Sequence, residues 1–115
     1  MRLLIRYMQS RDKAQHEFDG NVITIGRGTD QTIQIADMSL PLLHSKIIVS
    51  GRDLILTVSD GKSFAVNGQT AKKQSLIDGD VVEISGHKFK ISAGENGFDY
   101  LIDVELDSDQ ITELK

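Results

Sequence analysis

Cysteine is absent from the 115 residues. Its absence excludes a disulfide framework and any thiolate metal site, and it suits a reducing, cytoplasmic compartment. A basic cluster is also missing: the densest is Lys72-Lys73, and the formal net charge is −4 with the acids spread along the chain. A chain of this charge gains nothing from a phosphate backbone, so nucleic acid is not an expected partner. Long apolar runs are lacking too. The N-terminus, Met-Arg-Leu-Leu-Ile-Arg-Tyr-Met, falls far short of the roughly 7–15 apolar residues of a signal-peptide core. No stretch approaches the roughly 20 apolar residues of a membrane helix. The expectation is a soluble, cytoplasmic domain whose own segment makes no membrane contact. It is compatible with having been cut from a larger protein.

What is present is a series of short, alternating apolar runs separated by glycine turns. Leu3, Ile5 and Tyr7 alternate with Leu4, Arg6 and Met8, and His16 to Phe18 ends at Asp19-Gly20. Lys46 to Val49 and Asp53 to Val58 flank Ser50-Gly51-Arg52, a hairpin pattern. Phe64 and Val66 lead into Asn67-Gly68, a tight-turn pair. Val81 to Ile84 and Lys88 to Ile91 flank Ser85-Gly86, and Phe98 to Leu106 reads as a last strand with Phe98, Tyr100, Ile102, Val104 and Leu106 on one face. Gln9 to Gln15 and Gly94 to Gly97 read as loops. No internal helix is convincing, so the pattern predicts an all-β, antiparallel sandwich over residues 1–106. Residues 107–115 read as a polar C-terminal exit segment, a linker to a further region or a single helical turn.

Residues 22–47 organise the chain. Val22 to Ile25 and Thr32 to Ile35 read as strands, and Ile47 belongs to a third. Between them stand Gly26-Arg27-Gly28 and the loop from Ser39 to His44. The turns place one arginine and one histidine at the end of a sheet.

These residues resemble the forkhead-associated (FHA) domain family. The matches are Gly26-Arg27, Asp30, Ile33-Gln34-Ile35, Asp37, His44, Ile47, Val66-Asn67-Gly68, and Leu76 with Gly79-Asp80, covering roughly residues 3–93. The resemblance implies a β-sandwich of the FHA/SMAD type, with recognition loops at one end and here an additional C-terminal strand. It also implies a binding module that reads phosphothreonine and not an enzyme. The family's phosphate donors are the Gly-Arg arginine, a loop serine, the basic residue after it, and an Asn-Gly-Thr loop. Arg27 is present. Pro41 stands at the serine position and Leu42 at the basic one, and the Asn-Gly-Thr loop is replaced by Asp60-Gly61-Lys62-Ser63. The phosphothreonine loop is degenerate.

Arg27 then has two roles open to it: an anion fork on an exposed loop, or a brace within its own loops against Asp30 or Asp37. Lys62 and Ser63 are either replacement donors or an ordinary hairpin tip. The apolar run Leu40, Pro41, Leu42 and Leu43 either tucks inward or forms an apolar patch for a protein contact. Ser39 is a weak substitute for the lost serine. Gly26, His44 and Asn67 are expected to brace the loops structurally, the role the resemblance implies for His44. His16 and His87 lie far from His44 in sequence, so no metal spacing exists, and no nucleophile–base pair or phosphate-cradling glycine loop suggests catalysis. No cofactor is implied. The expected function is a phosphate-independent interaction with another protein or another domain of the same polypeptide. The alternative is phosphothreonine-peptide binding through Arg27, Lys46, Lys62 and Ser63.

Overall fold

A computed structural model describes residues 2–8, 15–59 and 61–106. The expected exit segment 107–115, most of the 9–15 loop and Asp60 lie outside the described residues. Twelve strands are present among the described residues, in the order β1 (Arg2–Tyr7), β2 (Gln15–Asp19), β3 (Val22–Gly26), β4 (Ile33–Gln34), β5 (Ser45–Ser50), β6 (Asp53–Val58), β7 (Phe64–Val66), β8 (Gln69–Ala71), β9 (Lys73–Leu76), β10 (Val81–Ile84), β11 (His87–Ala93) and β12 (Tyr100–Glu105). Among the described residues no helix is long and apolar enough to cross a membrane.

The strands form two sheets, one of seven ordered β2-β1-β12-β11-β10-β7-β8 and one of five ordered β4-β3-β5-β6-β9. Period-2 alternation turns one side of each inward. Leu3, Ile5, Phe89, Ile91, Ile102 and Val104 from the larger sheet share one buried cluster with Ile23, Ile25, Ile47, Leu54 and Leu56 from the smaller. Cross-strand register stacks these residues in rows, such as Ile5 opposite Ile102 opposite Ile91, and Ile23 opposite Ile47 opposite Leu56. Burial of such rows against each other is what joins two sheets into a sandwich.

Three details differ from the reading of the sequence. The sheets are mixed: β1 pairs with β12, and β3 with β4, in parallel. The second parallel pair is short and is held by reciprocal threonines. Thr32 Oγ1 accepts from Thr24 N at 3.1 Å, and Thr24 Oγ1 accepts from Thr32 N at 2.9 Å. Strands β8 and β9 lie in the polar stretch 69–76, which carries no alternation. They are edge strands, and only Leu76 among their side chains is fully buried, so backbone bonding rather than burial defines them. Finally, β12 begins at Tyr100 and buries Leu101 as well as Ile102 and Val104. Phe98 precedes the strand, with the Arg2 guanidinium 4.8 Å from its ring centroid.

Candidate recognition end

The loops singled out in the sequence meet at one end of the sandwich, around the segment 40–44. On one side lies the β3–β4 loop: Arg27 N donates to Pro41 O at 3.0 Å and Gly28 N to Leu42 O at 3.1 Å. On the other side lies the turn after β6: Ser59 N donates to His44 O at 3.0 Å and Ser59 Oγ to Leu43 O at 3.1 Å. His44 N in turn donates to Ile25 O at 2.8 Å. The segment is thus laced between two loops, by backbone bonds and by the one side-chain bond from Ser59 Oγ.

Gly26 is required by close approach and not by φ. A Cβ there would collide with the Leu42 carbonyl oxygen, and would stand 3.0 Å from Leu43 Cα. Both neighbours are backbone, so neither can swing aside.

The Arg27 side chain is half-buried, and its Nε donates to Leu40 O at 2.9 Å. Among the described residues it makes no ion pair with Asp30 or Asp37, the partners expected for a brace. It holds the loop through a carbonyl instead, which leaves the two terminal guanidinium nitrogens for other acceptors.

The apolar run divides. Leu40 is 4 % exposed and belongs to the core, so it is removed from the peptide-facing candidates. Leu42 is 59 % exposed, and Pro41 and Leu43 are intermediate. Met38, which precedes the run, is 66 % exposed. Leu40 turns inward because its amide closes a turn on Asp37 O at 3.0 Å. Lys62 and Ser63 are exposed, and Lys62 N donates to Ser59 O at 3.1 Å, closing a turn. Lys46 is exposed near the start of β5, where it lines a depression of about 200 Å³ with Leu43, Thr57 and Ser59.

His44 is buried beneath these loops, and its Nδ1 has no hydrogen-bond partner among the described residues. Burial, and then the nearby Lys62 charge, hold its imidazole below the ordinary range, against a smaller opposing effect from the Ser63 backbone. Asn67 lies away from this end. It stands at φ 51° in the β7–β8 turn, donates from Nδ2 to Asp80 Oδ1 at 2.9 Å and accepts from Val81 N at 3.0 Å. It ties two turns together.

A polar cluster that the sequence reading did not assemble pins the 37–44 loop to the larger sheet. Asp37 Oδ1 accepts from Ser39 N at 2.8 Å and Ser39 Oγ at 2.6 Å. Asp37 Oδ2 lies 2.8 Å from His87 Nε2, and Ser39 Oγ lies 3.0 Å from Ser85 Oγ. Asp37 and His87 are both buried. Burial pushes the Asp37 carboxyl up, but the bonds from Ser39 and His87 outweigh it and hold the group below the usual carboxylate range. The signal for His87 was legible: it stands two residues before Phe89, on the inward face of β11. Serine, aspartate and histidine here do not make a nucleophile. The hydroxyl proton goes to the carboxylate, whereas a general base would need the imidazole on the hydroxyl. No group of three or more His, Asp or Glu among the described residues could hold a metal ion.

The sequence matches no family model and no curated protein. Solved structures do match. An FHA domain from a structural and functional analysis of phosphothreonine-dependent FHA domain interactions is 19 % identical, with a TM-score of 0.66, covering 80 % of this chain and 95 % of that one. The FHA domain of the CT664 protein from Chlamydia trachomatis is 20 % identical, with a TM-score of 0.66 over 82 % of this chain and 98 % of the other. Mycobacterium tuberculosis EmbR, solved in complex with a low-affinity phosphopeptide, is 22 % identical, with a TM-score of 0.66 over 84 % of this chain and 26 % of EmbR. At these identities the likeness speaks for architecture, and the architecture of this chain is the FHA fold.

Proposed function

We propose that the chain is a non-catalytic protein-interaction module that binds through its recognition end without requiring phosphate. One observation carries the reading: the 40–44 segment presents exposed Leu42 where the resemblance expects a cation, and Pro41 where it expects a hydroxyl. A phosphothreonine bears nearly two charges and three acceptor oxygens, and it needs several convergent donors. At this end Arg27 has already committed Nε to Leu40 O, and Pro41 has neither hydroxyl nor N–H. Exposed Leu42 and Met38 supply the apolar surface that marks a protein contact. The partner is another protein or another domain of the same polypeptide, met in the cytoplasm. The interacting unit is residues 1–106, with 107–115 leading away from it.

A second reading keeps phosphothreonine-peptide binding through Arg27, Lys46, Lys62 and Ser63. It is favoured by the likeness to FHA domains described with phosphothreonine-dependent interactions or a bound phosphopeptide.

The deciding experiment is binding of an oriented phosphothreonine peptide library, with the unphosphorylated library as control, followed by calorimetry on selected pairs. Equal binding of both forms is expected. Two missing charge-assisted bonds, at about 1.5–3 kcal/mol each, correspond to about two decades of affinity or more. Phosphate-dependent binding by the unmodified protein would overturn the proposal in favour of the second reading.

A further inference from the structure

We infer that the recognition end takes an extended protein segment carrying a side-chain carboxylate, Glu or Asp, next to an apolar residue. This rests on the phosphate-independent reading above and specifies its partner.

Charge is the first argument. The chain is acidic overall, at −4, yet the loops around segment 40–44 carry three cations against the carboxylates of Asp30, Asp37 and Asp60. Arg27, Lys46 and Lys62 flank that segment. Among the described residues of these loops, Asp30 is the one exposed carboxylate, since Asp37 is buried against His87, Ser39 and Ser85. Asp30 is also engaged, its Oδ1 accepting from Gln31 Nε2 at 3.1 Å. Among the described residues Arg27, Lys46 and Lys62 make no ion pair, and cations so placed favour an acidic ligand over a neutral one.

The second argument is the shape of the donor set. With Nε held by Leu40 O, Arg27 keeps the end-on fork of its two terminal nitrogens, and no described carboxylate occupies it. That fork matches the two coplanar oxygens of a carboxylate. A tetrahedral dianion would find one arginine fork and a solvated lysine, and would leave most of its acceptor capacity unmet. A monoanion is satisfied by the same groups and is less costly to strip of water.

The third argument is adjacency. Leu42 sits between the arginine and the lysine in this arrangement, because its carbonyl is bound by Gly28 N while the next two residues are bound by Ser59. A segment crossing the loop meets cation and exposed leucine within a few residues of each other. The apolar neighbour of its carboxylate packs on Leu42 and Met38.

The test uses three immobilised libraries of nine-residue peptides with randomised flanks and a fixed central residue: Glu, Gln or phosphothreonine. The intact protein should retain the Glu library about tenfold better than the Gln library, with apolar residues enriched beside the Glu; tenfold corresponds to a single exposed charge-assisted contact. The Glu preference should shrink with added salt. It should fall to parity in Arg27→Gln and decline in Lys62→Gln, a variant that leaves the Leu40 bond in place, with circular dichroism and the thermal midpoint reporting the fold of both. Leu42→Asp should abolish the apolar enrichment. Equal retention of Glu and Gln, or no retention of either, overturns this inference. If that equal retention still depends on Leu42, the phosphate-independent module survives without its acidic specificity. Preferential retention of the phosphothreonine library overturns both.

Discussion

Asp37 and His87, fifty residues apart in sequence, meet in the interior with Oδ2 and Nε2 2.8 Å apart. The contact joins the loop that carries Leu42 to the first residue of β11, and so couples the recognition end to the larger sheet. Removing one member of such a buried pair takes from the other a partner it holds in the interior.

Asp37→Ala is expected to destabilise the domain by about 3–5 kcal/mol, the range for breaking a buried, hydrogen-bonded pair. Asp37→Ala combined with His87→Leu should recover part of that loss, because the imidazole is then no longer buried opposite an empty carboxylate position. Urea denaturation of the wild type, the single and the double variant measures both numbers. A single variant as stable as the wild type would mean that the pair contributes nothing net.

Stability should depend on pH through His44. Its folded-state affinity for a proton is lowered by burial and by Lys62, so below about pH 6.5 the unfolded chain binds a proton that the folded chain refuses. Stability is therefore expected to be full above that pH and to decline as pH falls, down to the folded-state value. Asp37, held below the usual range, contributes stability above about pH 3.8 that is lost at still lower pH. Denaturation midpoints between pH 8 and 5 should fall in the wild type and fall less in His44→Asn. Parallel curves for the two proteins would remove His44 as the source.

Leu40 and Leu42 are predicted to behave oppositely. Leu40→Ala, in the core, should cost about 2–5 kcal/mol. Leu42→Ala, on the surface, should stay within about 0.5 kcal/mol and act on binding instead. Thermal unfolding of the two variants side by side decides between this division and a loop in which both leucines are structural.

The sequence was enough for the architecture because its determinants are local. Alternation at Leu3 to Tyr7 and Asp53 to Val58, and turn pairs such as Asn67-Gly68, specify which face is buried and where the chain reverses. The same alternation failed at β8 and β9, whose polar edge strands carry no burial pattern, and it led to an antiparallel expectation where two pairings are parallel. Pairing partners distant in the chain leave no periodic trace.

At the recognition end, the sequence by itself determined which side chains stand in the loop. Pro41 and Leu42 occupy positions where the resemblance expects a hydroxyl and a cation. Four consecutive apolar residues, however, carry no instruction about which of them faces water. The tertiary structure decided that: the Asp37 turn directs Leu40 into the core, and Arg27 and Gly28 clamp the Pro41 and Leu42 carbonyls and leave the Leu42 side chain outside. It also decided the partner of Arg27, a backbone carbonyl and not an aspartate, and it brought His87 to Asp37. Backbone carbonyls are present at every residue, and a histidine fifty positions away is identified as a partner only once the sheets have packed.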